Sequence, residues 1–139
     1  MKLTFLFDAQ MPPRLAKAIE LIDQENRNER NIQVQVFHVE TLYGPGVPDE
    51  DVIKKAKELK AIIVSEDPDF YTIQANKRLI KELGVGCVVY KPPQHGIRFW
   101  EKCLAFVLGW ENIKELARES SPPFLIRVDK RGHAFHERL

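Results

Sequence analysis

Five short runs of apolar, β-branched and aromatic residues recur along this chain, each separated from the next by enough residues for a helix. That alternation restricts the fold more than any other property of the sequence. The runs are Lys2–Phe7, 32–39, 61–65, 85–90 and Phe124–Val128. Between the first two, Pro12 and Pro13 open a helix whose Leu15, Ala18, Ile19 and Ile22 recur at helical spacing. A second helix is predicted over 48–59, with Val52, Ile53, Ala56 and Leu59 inward. A third spans 72–83, with Leu79, Ile80 and Leu83 inward and Gly84 as its stop. Ile97, Trp100, Leu104, Val107 and Leu108 outline a long helix by the same rule, and 113–118 a short one. Strands that alternate with helices pair in parallel and are covered on both faces. The expectation is therefore a three-layer α/β/α fold around a mostly parallel sheet of four to five strands. Residues 23–31 and the Tyr43-Gly44-Pro45-Gly46 segment read as loops, and 131–139 as a polar tail.

A chain of 139 residues fits one domain, 1–139, and can bury roughly two-thirds of its unfolded surface. It needs no disulfide or structural metal to hold it together. Cys87 and Cys103 lie in apolar runs and read as small core residues. With 21 basic and 20 acidic side chains the net charge is +1, so no global field draws the protein to nucleic acid or membrane. No apolar stretch is long enough to span a bilayer, and the N-terminus meets an acid too early for a signal-peptide core. A cytoplasmic protein without membrane contact is expected.

The acidic residues carry the chemical signal. Asp8 directly follows the first strand, and Asp67 and Asp69 follow the third. In parallel α/β sheets, sites form beyond the carboxyl ends of strands. Asp49, Glu50 and Asp51 open the second helix, where acids also suit the helix dipole. Neighbouring helical residues diverge by about 100°, so only one or two of the three can face a shared centre. Carboxylates gathered this way repel unless a cation or protons neutralise them. Hard oxygen ligands suit Mg²⁺ or Mn²⁺, which would promote phosphodiester hydrolysis. The candidate catalytic and metal-holding residues are Asp8, Asp49, Asp67 and Asp69, with Glu50, Asp51 and Glu66 as substitutes. Weaker candidates to follow an RNA backbone are Arg14, Lys17, Lys54, Lys77 and Arg78, each read first as a solvated helix face. Tyr43 and Tyr71 are read as packing residues that could also stack on bases. His38 and His95 show no partner in the sequence.

In their order, Phe5-Leu6-Phe7-Asp8 through Pro12-Pro13-Arg14-Leu15-Ala16, then Pro48-Asp49-Glu50-Asp51-Val52-Ile53, then Val64-Ser65-Glu66-Asp67-Pro68-Asp69-Phe70 resemble the three motifs of PIN-like proteins. The resemblance is to the compact branch that includes VapC-like toxins. It implies a Mg²⁺- or Mn²⁺-dependent ribonuclease, a homodimer, and inhibition by a small antitoxin protein. Carried over, Asp8, Asp49, Asp67 and Asp69 are its metal-site acids. Gln10, Glu66 and the polar segment 23–31 depart from the pattern, and Glu66 adds negative charge beside the site. Three other readings compete. A haloacid-dehalogenase-type phosphatase needs a second Asp at the position of Gln10. A phosphoacceptor receiver domain needs an acidic pair where Asp8 stands alone, although Asp129-Lys130 supplies its late lysine. A catalytically inactive PIN-like module would bind protein or RNA with structural acids.

Overall fold

The computed structural model describes residues 1–26, 31–92 and 98–139. Its centre is a six-stranded sheet in the order β2-β1-β3-β4-β5-β6. The strands are β1 (Lys2–Phe7), β2 (Gln33–His38), β3 (Ile62–Ser65), β4 (Gly86–Tyr90), β5 (Phe124–Val128) and β6 (Ala134–Glu137). The first five are mutually parallel and β6 is antiparallel to β5. Strands β3 and β4 are apolar almost throughout because both of their faces are covered.

Six helices complete the chain: α1 (Pro13–Glu25), α2 (Val39–Tyr43), α3 (Asp49–Leu59), α4 (Asp69–Thr72), α5 (Gln74–Leu83) and α6 (Phe99–Glu119). Period-two alternation divides each strand between two cores. Phe5, Phe7, Val64, Val88 and Ile126 pack with Leu15 and Ile19 of α1 and with Phe106, Trp110 and Ile113 of α6. Leu6, Ile63, Cys87 and Val89 face the other way, against Val39, Val52, Ile53, Phe70 and Ile80. The result is the expected three-layer arrangement, with α1 and α6 on one face and α2 to α5 on the other. Both cysteines are free, and burial pushes the Cys87 thiol up to about 12. Among the described residues no helix is long and apolar enough to cross a membrane.

The short helices α2 and α4 are not expected from the sequence, and three larger departures bear on the packing. The two helices expected over 97–108 and 113–118 are one helix, α6, and it faces the opposite way: Trp100, Leu104, Val107 and Leu108 are exposed, while Ile97 lies outside the described residues. Its buried face is Ala105, Phe106, Gly109, Trp110, Ile113 and Ala117, together with Lys102 and Lys114. The two lysines break the apolar pattern on the buried side, so hydrophobicity alone selects the wrong stripe. Each is tolerated because it is paired. Lys102 Nζ lies 3.0 Å from Glu66 Oε2, and Lys114 Nζ lies 2.7 Å from Asp23 Oδ1.

Asp23 also corrects α1, which continues to Glu25 where a loop was expected from residue 23. The buried positions are Leu15, Ala16, Ile19 and Asp23, while Ala18 and Ile22 face outward. Asp23 Oδ1 accepts both Lys114 Nζ and, at 3.0 Å, the indole N–H of Trp110, whose ring packs 4.8 Å from Phe5. Finally, the supposed polar tail contains β6. Arg127 and Glu137 form an ion pair across the β5–β6 ladder, and the turn between these strands rests on α6. A side chain at Gly109 would place its Cβ 2.5 Å from the Gly132 carbonyl oxygen, so only glycine admits this contact.

Candidate metal centre

The strand order reverses at β1, which pairs with β2 on one side and β3 on the other. Such a reversal opens a crevice beyond the carboxyl ends of the flanking strands. Asp8 is the first residue after β1, and its amide donates to the Val64 carbonyl at 2.9 Å, which fixes it beside the end of β3. Ser65 ends β3, and the loop Glu66-Asp67-Pro68 leads into α4, which starts at Asp69. Asp49 is the first residue of α3, set there by Pro48. Three segments distant in sequence thus deliver four acids to one edge.

Asp49, Asp67 and Asp69 each offer a carboxylate oxygen within 4.8 Å of the others. Asp67 Oδ1 accepts the Asp69 amide at 2.9 Å, a local turn that explains Asp-Pro-Asp in this loop. Its Oδ2 accepts Gln10 Nε2 at 3.4 Å. Asn76 of α5, itself buried, donates through Nδ2 to Asp49 Oδ2 and to the Asp69 carbonyl, both at 3.2 Å. Asp8 is not one of this trio but is tied to it through Ser65. Ser65 Oγ donates to Asp8 Oδ2 at 3.1 Å and accepts the Asp67 amide at 3.0 Å, so one hydroxyl ties the first acid to the third segment. His38 accepts the Glu40 amide at Nδ1, which leaves Nε2–H to donate to the Met11 carbonyl at 2.7 Å. The imidazole thereby braces the turn that follows Asp8.

Among the described residues no lysine or arginine pairs with Asp8, Asp49, Asp67 or Asp69. Burial, opposed by the Ala9 amide and the Ser65 hydroxyl and reinforced by the Asp67 charge, holds the Asp8 carboxyl above the ordinary carboxylate range. Burial and the charges of Asp67 and Asp8 raise Asp49 in the same direction. Converging oxygens, no counter-cation and proton affinities raised by crowding fit a hard divalent cation. Neither cysteine belongs to the cluster.

The profile of the PIN like domain matches residues 3–91. The chain belongs to the PIN-like domain family. No curated protein and no solved structure matches it. The matched span carries β1 to β4 and the four candidate acids. It ends before α6, which closes the PIN-like core with Phe106 and Trp110 and supplies Lys102.

The substitute acids lie elsewhere. Glu50 faces solvent and pairs with Lys54 at 2.9 Å, and Asp51 is exposed, as the angular spread of a first helical turn requires. Glu66 alternates away from Asp67 and pairs with Lys102, so its charge is neutralised and does not bear on the centre as the sequence suggested. Of the basic candidates, Lys54 is engaged with Glu50 and Lys17 lies 3.4 Å from Glu20, while Arg14 and Arg78 are exposed and Lys77 half-buried. Tyr43 and Tyr71 are already stacked within the chain, under Lys55 and Arg127 respectively. Asp129 is spent in the β5–β6 turn on the amides of Arg131 and His133, and it pairs with His133. His136 meets Ser120. His95 lies outside the described residues.

Sequence reasoning did not find Ser65, Asn76 or Lys102. Ser65 was legible in principle as the polar end of an otherwise apolar strand. Asn76 and Lys102 sit on helices with no local signal, and only packing brings them to the loop.

Proposed function

We propose that this protein is a Mg²⁺- or Mn²⁺-dependent endoribonuclease, with Asp8, Asp49, Asp67 and Asp69 as its catalytic acids. The observation that carries the reading is the meeting of Asp49, Asp67 and Asp69 oxygens, with no lysine or arginine paired to them among the described residues. PIN-like domains are generally nucleases, which supports the same chemistry. In hydrolysis a water oxygen bonds to phosphorus, the bond to the leaving ribose oxygen breaks, and that oxygen gains a proton. A bound divalent ion would supply charge stabilisation at phosphorus and acidify the attacking water.

The chain's own residues supply position and proton affinity. Asp49, Asp67 and Asp69 would hold the ion, and Asn76 fixes the Asp49 carboxylate and the Asp69 backbone to each other. Asp8 is our candidate to accept the water's proton, at Oδ1, because Oδ2 is engaged by Ser65 and burial draws its proton affinity toward neutrality. Arg14, Lys77 and Arg78 are the candidates to follow the RNA backbone. The finer assignment, a VapC-like toxin acting in the cytoplasm and held by an antitoxin protein, rests on the resemblance of its three motifs.

The test is cleavage of RNA and of single-stranded DNA with Mg²⁺ or Mn²⁺, against EDTA and against Asp67→Asn. RNA cleavage that needs the metal and vanishes in Asp67→Asn is expected. Equal cleavage in every lane identifies a contaminant and withdraws the proposal.

A further inference from the structure

The Glu66–Lys102 ion pair joins the metal centre to a helix on the far side of the sheet. Glu66 stands between Ser65, whose hydroxyl donates to Asp8 and accepts the Asp67 amide, and Asp67 itself. Its side chain reaches toward α6, where Lys102 Nζ lies 3.0 Å from Oε2. Asp67, the next residue, meets Asp49 of α3 and Asp69 of α4, which belong to the opposite layer. Two carboxylates one peptide unit apart are thus directed to opposite sides of the sheet edge, as successive residues of an extended chain are.

We propose that Lys102 is a positioning residue of the metal centre: by holding Glu66 on the α6 side, it aims the Asp67 carboxylate at Asp49 and Asp69. Rigidity is the first argument. The Lys102 and Glu66 side chains are 6% and 9% exposed, so neither can swing freely into water. The Lys54–Glu50 pair beside Asp49 is 52% and 65% exposed and has no such hold. One turn along α6 from Lys102, Phe106 packs against Tyr90 of β4 with ring centroids 5.9 Å apart, which fixes this part of the helix on the sheet.

The second argument is how Asp67 is otherwise held. Its Oδ1 accepts the Asp69 amide of its own loop, and the Gln10 contact to Oδ2 is long at 3.4 Å. Neither ties the loop firmly to another element. Stability alone gives no reason for the pair, because well-packed apolar residues in its place often leave a protein as stable or more so. Placed one residue from a metal acid, the pair sets a direction instead. Lys102 also lies beyond the span 3–91 that matches the PIN like domain, so this tie is a property of the chain's own α6. Loss of a partner that orients a metal ligand typically weakens metal binding by about 10–100-fold.

The inference rests on the metal-centre reading. Its test is Mn²⁺ uptake by the full chain, followed by loss of the free-ion paramagnetic resonance signal, beside thermal unfolding in EDTA. Glu66→Gln/Lys102→Met removes one charge of each sign and leaves the local sum unchanged. Glu66→Leu/Lys102→Met fills the same space with apolar side chains and should stay folded even where the first variant does not. Both should bind Mn²⁺ about 10–100-fold more weakly than wild type, although the apolar variant melts no lower. Asp23→Asn/Lys114→Met removes another buried pair of α6, remote from the acids, and should bind Mn²⁺ as wild type does. Wild-type affinity in a folded Glu66/Lys102 variant overturns the positioning role. So does an equal loss of affinity in the Asp23/Lys114 variant, which would trace the effect to general loosening of α6. A wild type that takes up no Mn²⁺ withdraws the metal centre itself, and this inference with it.

Discussion

Replacing Asp67 with asparagine should raise the melting temperature of the metal-free protein and abolish its further rise with Mn²⁺. Asp67 is the charge common to the upward shifts of Asp8 and Asp49. Asparagine keeps an oxygen for the Asp69 amide, so the local turn survives while one negative charge disappears. Oxygens within 4.8 Å of each other repel by roughly 1 kcal/mol in water and about 3.5 kcal/mol at an effective dielectric near 20. These carboxylates are half-exposed, and screening brings the net relief to about 1–2 kcal/mol. For a chain of this length that is roughly 3–8 °C. Wild-type protein at a hundredfold excess of Mn²⁺ over Kd should gain about 2.7 kcal/mol, or roughly 8–12 °C.

The pH dependence has a definite sign. Folded Asp8 and Asp49 bind protons more readily than the unfolded carboxyl at 3.8, so metal-free stability falls as pH rises from 3.8 through their folded values. The advantage of Asp67→Asn should therefore shrink on acidification. Thermal unfolding followed by circular dichroism, with EDTA or graded Mn²⁺ from pH 5 to 8, reads all three effects. A metal-free variant that melts no higher than wild type would refute the repulsion. A variant that keeps the Mn²⁺ rise would remove Asp67 from the centre.

Two substitutions test the packing around the centre. Lys102→Met leaves the buried Glu66 carboxylate without its partner and should cost about 3–5 kcal/mol in urea unfolding, with much of this recovered in Glu66→Gln/Lys102→Met. Recovery in the double variant separates loss of the pair from loss of lysine packing. Tyr90 has a buried hydroxyl with no hydrogen-bond partner, so Tyr90→Phe should leave stability unchanged or raise it by about 1 kcal/mol. A clear loss on denaturant titration would show that the hydroxyl is in fact satisfied.

Much of the fold is legible because its signals are local. The apolar run before Asp8, the Pro-started helix after it and the glycine stop at Gly84 each act within one element, and the structure has them where the spacing predicts. The acids at the ends of β1 and β3 and at the head of α3 follow from the same local order combined with the crevice rule for parallel sheets. Errors fell where a long-range partner changed what a residue tolerates. Asp23 falls in a predicted loop and Lys102 and Lys114 carry no sequence signal, because charges are rarely buried alone, yet each is buried against an opposite charge from a distant element. Likewise β6 is short and polar, and it becomes a strand only because the exposed edge of β5 offers it a ladder.

By itself the sequence determined the order of the five parallel strands and the identity of the acids, since hydrophobic period and turn chemistry operate over a few residues. Only the tertiary structure decided which acids meet, which carboxylate is cancelled by a lysine and which face of α6 is left bare. Those outcomes depend on charge pairing and packing between segments dozens of residues apart, and no local pattern encodes that distance.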